Sequence, residues 1–436
     1  MDNARSLISR NQKVILIAIL AVALAIRLAA VFLFPVPVEK DALLYDKIAM
    51  QILKNKSFAV HDGVPTSWVA PLYPTFLSGV YLLFGHNHQA ARIVQAFLST
   101  AICFFVYLIA KRIYGIFAGL LSAFLVAFHQ SLLMITMLIT ETLLSLLLVV
   151  MILFFTMAII HKKNIFFFIT GIFIALSSLT KPTTLLFAVF ALFVLLFVLE
   201  GTKQVLLKFA ALAGATIIII TPWMVRNYSL ADRVVPVSSQ GSSILIGTYF
   251  QMTDKKDWRT IFDMELLEEQ RQRLREAGEK TRAKIELENP GRADDLLRHM
   301  TIKAIMDSPL EYLKVVGIRV GIFWLSPPVA TYQVKTKSDA LSIAWMGLKY
   351  LLLLFAILGL FHSRDKWKII LPILGLLFYM TAVHGLLHSI RRYNLPLIPL
   401  ILIFSSEGMI ATWHYVRDRF SSGKENIGAA LVSNFF

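Results

Sequence analysis

Apolar residues run along this chain in blocks too long and too frequent for a soluble core. The first, Val14–Phe34, carries a single charge, Arg27, over a length that matches the roughly 20 apolar residues needed to cross a bilayer. Further blocks follow at Gln89–Ala110, Ile116–Met137, Thr142–Ile160, Ile165–Leu179, Thr183–Leu199, Leu206–Trp223, Leu341–Phe361, Ile369–Leu387 and Leu395–Trp413. Each predicts a helix, because backbone polar groups inside hydrocarbon must be satisfied within their own segment. Two stretches break this rhythm. Residues 35–88 mix acids, aromatics and leucines at helical spacing, as in Asp41-Ala-Leu-Leu-Tyr45-Asp46, which predicts amphipathic helices on the membrane surface. Residues 227–340 are more polar, and their charged centre, Glu265–Arg298, reads as helical and soluble in character. The expectation is an all-α polytopic membrane protein with about ten transmembrane helices, divided into 1–226, 227–340 and 341–436.

Composition agrees. Of 436 residues, 57% are hydrophobic and 16% charged, and polar surface on that scale could not cover so many apolar runs. A net charge of +16 would suggest nucleic acid in a soluble chain. Here the basic residues gather in short loops and at the chain ends, so they read as topology signals and as affinity for anionic membrane lipids, with no nucleic-acid partner. Cys103 is the sole cysteine, which excludes a disulfide framework and a Cys-based metal site. The first block lacks a small-x-small cleavage site and is read as a retained signal-anchor. No internal repeat of the kind seen in inverted-repeat transporters is present.

Charge also sets the topology. With Arg5, Arg10 and Lys13 inside, alternate counting places Lys111/Arg112, His161/Lys162/Lys163, Lys203, Arg364/Lys366/Lys368 and Arg417/Arg419 on the cytoplasmic side, as the positive-inside rule requires. Tyr312–Leu325 would upset that count. It is apolar but short, holds Lys314 and Arg319 and ends at Pro327-Pro328, so it is read as an interfacial or re-entrant helix.

The same count brings a set of costly residues to the outer face: Asp41, Asp46, Glu141, Lys181, Arg226, Arg391, Arg392 and Tyr393. A carboxylate can deprotonate an incoming hydroxyl. Lysine and arginine can hold a phosphate and stabilise charge growing on it as a bond breaks, arginine as a fork and lysine as a point charge. Together these residues suit group transfer from a lipid phosphate.

The pattern resembles the polyprenyl-phosphate-sugar glycosyltransferases of the GT-C fold, in the style of bacterial relatives of protein O-mannosyltransferases and lipid A aminoarabinose transferases. The matching pieces are Asp41-x-x-x-Tyr45-x-x-x-Ala49, Pro71-Leu-Tyr-Pro74 with Phe84-Gly85, and Thr140-Glu141. They continue with Leu179-Thr-Lys181-Pro182, Pro222-Trp-x-x-Arg226-Asn227-Tyr228 and Arg392-Tyr393-x-x-Pro396-x-x-Pro399. By this resemblance Asp41 is the catalytic base and Glu141 the second acid, orienting the acceptor or helping to hold a divalent cation. Lys181, Arg391 and Arg392 would bind the donor phosphate, and Tyr45, Tyr73, Arg226 and Tyr393 would position substrate. The implied donor is a sugar on undecaprenyl or dolichyl phosphate. The implied acceptor is a hydroxyl on a lipid, glycan or protein, at the outer face of the cytoplasmic membrane, with inversion at the anomeric centre. Trp68-Val-Ala70 stands where aminoarabinose transferases carry a lysine, which argues against that sugar.

Plainer readings stand beside these. Asp41 could cap the helix Leu43–Leu53, and Glu141 could answer a helix dipole. Lys181 could snorkel, while Arg391 or Arg392 and the tyrosines could be interfacial anchors. Asp46 reads as a solvated face residue and Arg27 as half of a structural ion pair. His61, His86 and His88 fit no standard zinc spacing, and His384 with His388 lacks a third ligand, so no metal site is assigned. A transporter or flippase of lipid-linked sugars is the rival function. It would place ionisable groups along a path at mid-membrane, whereas the span interiors here hold few.

Overall fold

A computed structural model describes residues 2–34, 36–130, 141–254, 257–288, 293–327 and 339–433. The long helix α1, Asp2–Leu33, leads into α2, Asp41–Asn55. A two-stranded antiparallel hairpin follows, β1 Ala59–His61 with β2 Val64–Pro65, turned through Gly63 at φ +75°. Next come α3, Leu72–Phe84; α4, His88–Tyr114; α5, Ile116–Phe128; α6, Glu141–His161; α7, Asn164–Thr180; α8, Phe187–Val198; and α9, Thr202–Ala231. The polar segment folds as α10, Gly241–Thr253; α11, Met264–Glu288; α12, Ala293–Asp307; and α13, Pro309–Leu325. The chain closes with α14, Asp339–His362; α15, Trp367–Leu386; and α16, Ile398–Ser433.

Among the described residues, seven helices are long and apolar enough to cross a membrane. Four more apolar helices are shorter: Leu72–Phe84, Ile116–Phe128, Asn164–Thr180 and Pro182–Val198. Three of these fall on predicted spans. The expected continuation of Ile116–Met137 past residue 130 lies outside the described residues, as do Thr140 and Pro328. The block at Thr183–Leu199 is broken near its start by a 3-10 turn at Pro182–Thr184, since proline cannot carry the helical hydrogen bond from the preceding turn. Helix α13, 17 residues long, is not among the helices long and apolar enough to cross.

Helix α6 is the axis of the bundle, with α4, α7 and α15 packed around it. Its residues are buried almost all round, from Thr142 and Leu148 to Phe155 and Ala158, which explains why it shows no polar stripe. Small residues set the closest crossings. A Cβ on Gly408 would overlap the Phe355 carbonyl, and one on Gly359 would overlap the Phe404 carbonyl. The backbones of α14 and α16 therefore touch, the way helices pack where lipid supplies no hydrophobic push.

Two buried arginines do a related job. Arg27, fully buried, donates to the carbonyls of Val126 and Ala127 at the end of α5, and to Ser99 Oγ at 2.8 Å. Arg319 donates to the carbonyls of Gly385 and Leu386 at the end of α15. The last carbonyls of a helix lack intrahelical partners and carry its negative pole, so a guanidinium satisfies both. This corrects the expectation of an ion pair at Arg27.

The basic loops meet at one end. Arg112 lies 3.4 Å from His161, Tyr114 Oη bonds Ser363 Oγ at 2.7 Å, and Lys366 sits over the Tyr114 ring. Glu141 opens and His161 closes the 21 residues of α6, so at about 1.5 Å per residue these loops stand about 30 Å from Glu141.

Candidate active site

The residues expected to carry chemistry are spread over 350 positions of sequence, yet the fold gathers most of them at the far end of α6. Asp41 is the first residue of α2, and Lys40, the capping position, makes no side-chain cap. The Asp41 carboxylate turns instead to Arg392, whose Nη2 donates to Asp41 Oδ2. Arg392 also pairs with Glu141, Nε to Oε1 at 3.2 Å. One guanidinium thus joins two carboxylates, Asp41 half exposed and Glu141 buried. Glu141 sits at the N-terminus of α6, where the helix dipole favours an anion. Its other oxygen, Oε2, is buried with no hydrogen-bond partner among the described residues.

Arg392 belongs to the 3-10 turn Arg391–Leu397, held by two prolines' worth of constraint at Pro396 and Pro399. The next residue, Tyr393, presents its ring to Lys181, whose Nζ lies 3.3 Å from the ring centroid. Lys181 caps the end of α7 just before Pro182, where the helix must stop. Burial pushes the Lys181 ammonium down to about 7, with Glu141 and Asp41 pulling it up and Arg392 pressing it further down. Tyr45, one turn along α2 from Asp41, faces the same group, and burial followed by the Asp41 and Glu141 charges raises its phenol.

Three expected residues take other places. Tyr73 is 1% exposed and packs edge-on under Tyr45 at 5.4 Å, so it supports the Tyr45 ring. Arg226 donates to the carbonyls of Thr66 at 2.6 Å and Phe58 at 3.1 Å, with Trp223 stacked 4.5 Å away. It clamps the hairpin's flanks. Its neighbour Asn227 holds the carbonyls of Val235 and Val237. Arg391, next to Arg392, lines two clefts. One includes Gln270, Arg271, Arg319 and His388. The other runs between Leu352, Leu353, Ile398 and Ile401 and includes Lys349. Burial pushes the His388 imidazole down to about 4.

Sequence reasoning missed Lys349, which it treated as part of an apolar span, and it misjudged Asp46. Asp46 is not solvated but buried on the inner face of α2 beside Ile48 and Ala49. Its Oδ1 accepts from Tyr81 Oη at 2.7 Å and lies 2.9 Å from both His86 Nε2 and His88 Nε2. Burial alone would raise this carboxyl, but those three partners hold it below its ordinary range. The clue was available: Asp46 shares a helical face with Ala49 and Leu53, three and seven residues on, and lies five residues from Asp41, so on a different side of α2.

Residues 68–225 match the family model described as dolichyl-phosphate-mannose-protein mannosyltransferase. No curated protein sequence matches the chain. Among solved structures, an oligosaccharyltransferase from Archaeoglobus fulgidus in complex with an inhibitory peptide and a dolichol-phosphate superposes with a TM-score of 0.56 at 15% identity, over 95% of this chain and 52% of that one. The apo form of the Archaeoglobus fulgidus enzyme gives 0.54 at 14% identity, over 94% and 52%. A complex of it tethered to an acceptor peptide with the NVT sequon gives 0.56 at 13%, over 93% and 50%. The chain spans about half the length of these structures, so the likeness is one of fold. The resemblance read from the sequence holds: this is an all-α polytopic membrane protein of the GT-C fold, and its residues 68–225 carry the protein-mannosyltransferase pattern.

Proposed function

We propose that the chain is a membrane glycosyltransferase that moves a sugar from a polyprenyl phosphate to a hydroxyl acceptor, at the outer face of the cytoplasmic membrane. The observation that carries this reading is the Asp41–Arg392–Glu141 bridge with Lys181 and Tyr393 beside it. It sets a half-exposed carboxylate among fixed cations at the end of an apolar bundle.

The residues divide the work as follows. Asp41 accepts the proton of the acceptor hydroxyl as its oxygen bonds to the anomeric carbon. The bond from that carbon to the phosphate oxygen breaks, its electrons leave with the polyprenyl phosphate, and the configuration inverts. Lys181 and Arg392 offset the charge that develops on the phosphate. The donor phosphate takes over part of the Arg392 fork, which frees Asp41 to meet the acceptor. Glu141, whose Oε2 has no partner among the described residues, orients the acceptor hydroxyl; were a divalent cation bound, Asp41 and Glu141 would hold it, since carboxylates are the right donors for a hard cation, and it would supply further charge to the phosphate. Lys349 and Arg391 stand over the apolar cleft between α14 and α16, a fit for an isoprenoid tail with its phosphate at the cationic mouth. The mixed cleft that Arg391 also lines, walled by α11 and α13 and carrying Gln270, Arg271 and His388, suits the acceptor.

The test is transfer in proteoliposomes, using a panel of radiolabelled polyprenyl-phosphate sugars on wild type and Asp41→Asn. Consumption of one donor by wild type alone supports the reading and names the sugar. Movement of intact donor across the bilayer without consumption would replace it with the flippase alternative.

A further inference from the structure

Asp46, His86 and His88 form a second polar cluster that the transfer reaction does not use. It arises from three unrelated local features. Asp46 comes from the buried face of α2. The two histidines flank Asn87, His86 in the link after α3 and His88 as the first residue of α4. Gly85, at φ +72°, turns the chain there, and Asn87 is extended and caps α4 by accepting from the amides of Gln89 and Ala90. Residues two apart on an extended backbone point to the same side, so both imidazoles turn toward Asp46. Their rings stand 5.0 Å apart at 83° to each other. The two Nε2 atoms and a carboxylate oxygen all lie within 4.8 Å of one another.

We infer that this cluster is a divalent transition-metal site of the zinc class, with Asp46, His86 and His88 as its protein ligands. The chemistry of the donor set supports this over a purely hydrogen-bonded cluster. Three partners converge within 2.9 Å on the single oxygen Asp46 Oδ1, although a carboxylate oxygen offers about two lone-pair sites. A cation held by both imidazole lone pairs and the carboxylate relieves that crowding and leaves Tyr81 as the one donor to Oδ1. Bonds of about 2.0–2.1 Å to nitrogen and oxygen, tetrahedrally arranged, require ligand atoms about 3.3 Å apart. The observed 2.9 Å separations need to open by only a few tenths of an ångström. Two imidazoles and one carboxylate favour zinc over magnesium or calcium, which prefer all-oxygen shells. Tyr81 supplies the outer hydrogen bond that orients a ligating carboxylate, and its ring lies edge-on to His86 at 5.0 Å. The carboxylate is buried while both imidazoles are partly exposed, so a cation has an entry path and a fourth position open to water.

The site staples α2 to the α3–α4 link. Asp41 lies five residues before Asp46, about 7.5 Å along the helix axis and on another face. The cation therefore takes no part in the transfer but fixes the helix that carries the candidate base.

The experiment uses the full chain in nanodiscs, purified on a tag without histidine or cysteine and stripped with a chelator. Zn²⁺ is then titrated against a chromophoric competitor, and thermal melting is followed with and without Zn²⁺. The expected result is one Zn²⁺ per wild-type chain and a melting point several degrees higher when it is bound. Asp46→Asn and the double variant His86→Gln/His88→Gln should each weaken binding at least about tenfold. The glutamines keep donors for Asp46, so this variant should melt like the stripped wild type and show no rise with Zn²⁺. X-ray absorption on the loaded wild type should show imidazole scattering in a four-coordinate shell. Equal zinc uptake by wild type and the double variant would overturn the assignment. So would no specific uptake by wild type at 100 times the competitor's ~µM range, leaving a hydrogen-bonded cluster only.

Discussion

Lys181 is the residue whose charge is most delicately set. Its ammonium is pushed down to about 7 by burial, so it is protonated below that pH and neutral above it. A cation that must grip the donor phosphate then loses its hold as the pH rises. The KM for the donor should climb several-fold between pH 6 and pH 9 while kcat changes less, and Lys181→Arg, charged throughout, should flatten the profile. A donor KM that is level across this range in the wild type would remove Lys181 from phosphate binding. At this scale, the sequence made Asp41, Glu141, Lys181 and Arg392 legible because each is an expensive residue at a helix end, where a charge needs a reason. It did not separate them from Arg226 and Tyr73, which share the same motifs. Motif membership records that a position matters, whereas the direction of a side chain depends on which face of its helix meets which neighbour. Arg226 meets two loop carbonyls, and Arg392 meets two carboxylates.

Among the elements, the first outer loop depends on contacts far away in sequence. The hairpin at 59–65 is too short to stand alone, and Arg226 with Trp223 at the end of α9 holds its flanks. Arg226→Ala should therefore loosen residues 56–70, measured as faster limited proteolysis there and a melting point lower by several degrees. Because Asp41 is carried by α2, which packs on β1, transfer should fall less than in Asp41→Asn, with donor KM nearly unchanged. A large rise in donor KM with an intact loop would instead return Arg226 to the substrate. Long spans were readable here because length and apolarity decide them. The short helices α5, α7 and α8 were read as spans from the same apolar runs; Pro182 sets where α7 ends and opens the 3-10 turn that precedes α8.

For the molecule as a whole, the two ends of the bundle carry opposite characters. Basic loops gather at one end and the carboxylate–arginine site about 30 Å away. The alternate counting of spans anticipated this separation, because positive residues resist translocation. It could not show that α13 is tied to the end of α15 through Arg319, or that α11 and α13 form a cleft with residues 388–391, since nothing local in that stretch encodes its partner. Orientation is testable directly. Cys103 is buried, so single-cysteine reporters can be read against a quiet background. Glu39→Cys should react with a membrane-impermeant maleimide in intact cells, and Lys163→Cys only after permeabilisation. The reverse pattern would put the site on the cytoplasmic side.

The central claim is that the Asp41 carboxylate serves as the base in sugar transfer from a polyprenyl phosphate. Its most direct test is the single-turnover rate of donor consumption by purified wild type and Asp41→Asn in the same proteoliposomes, with melting curves recorded on both. The account predicts a loss of at least about 100-fold, the usual contribution of a general base, in a variant that melts within a few degrees of wild type. Full activity in a well-folded Asp41→Asn would contradict it.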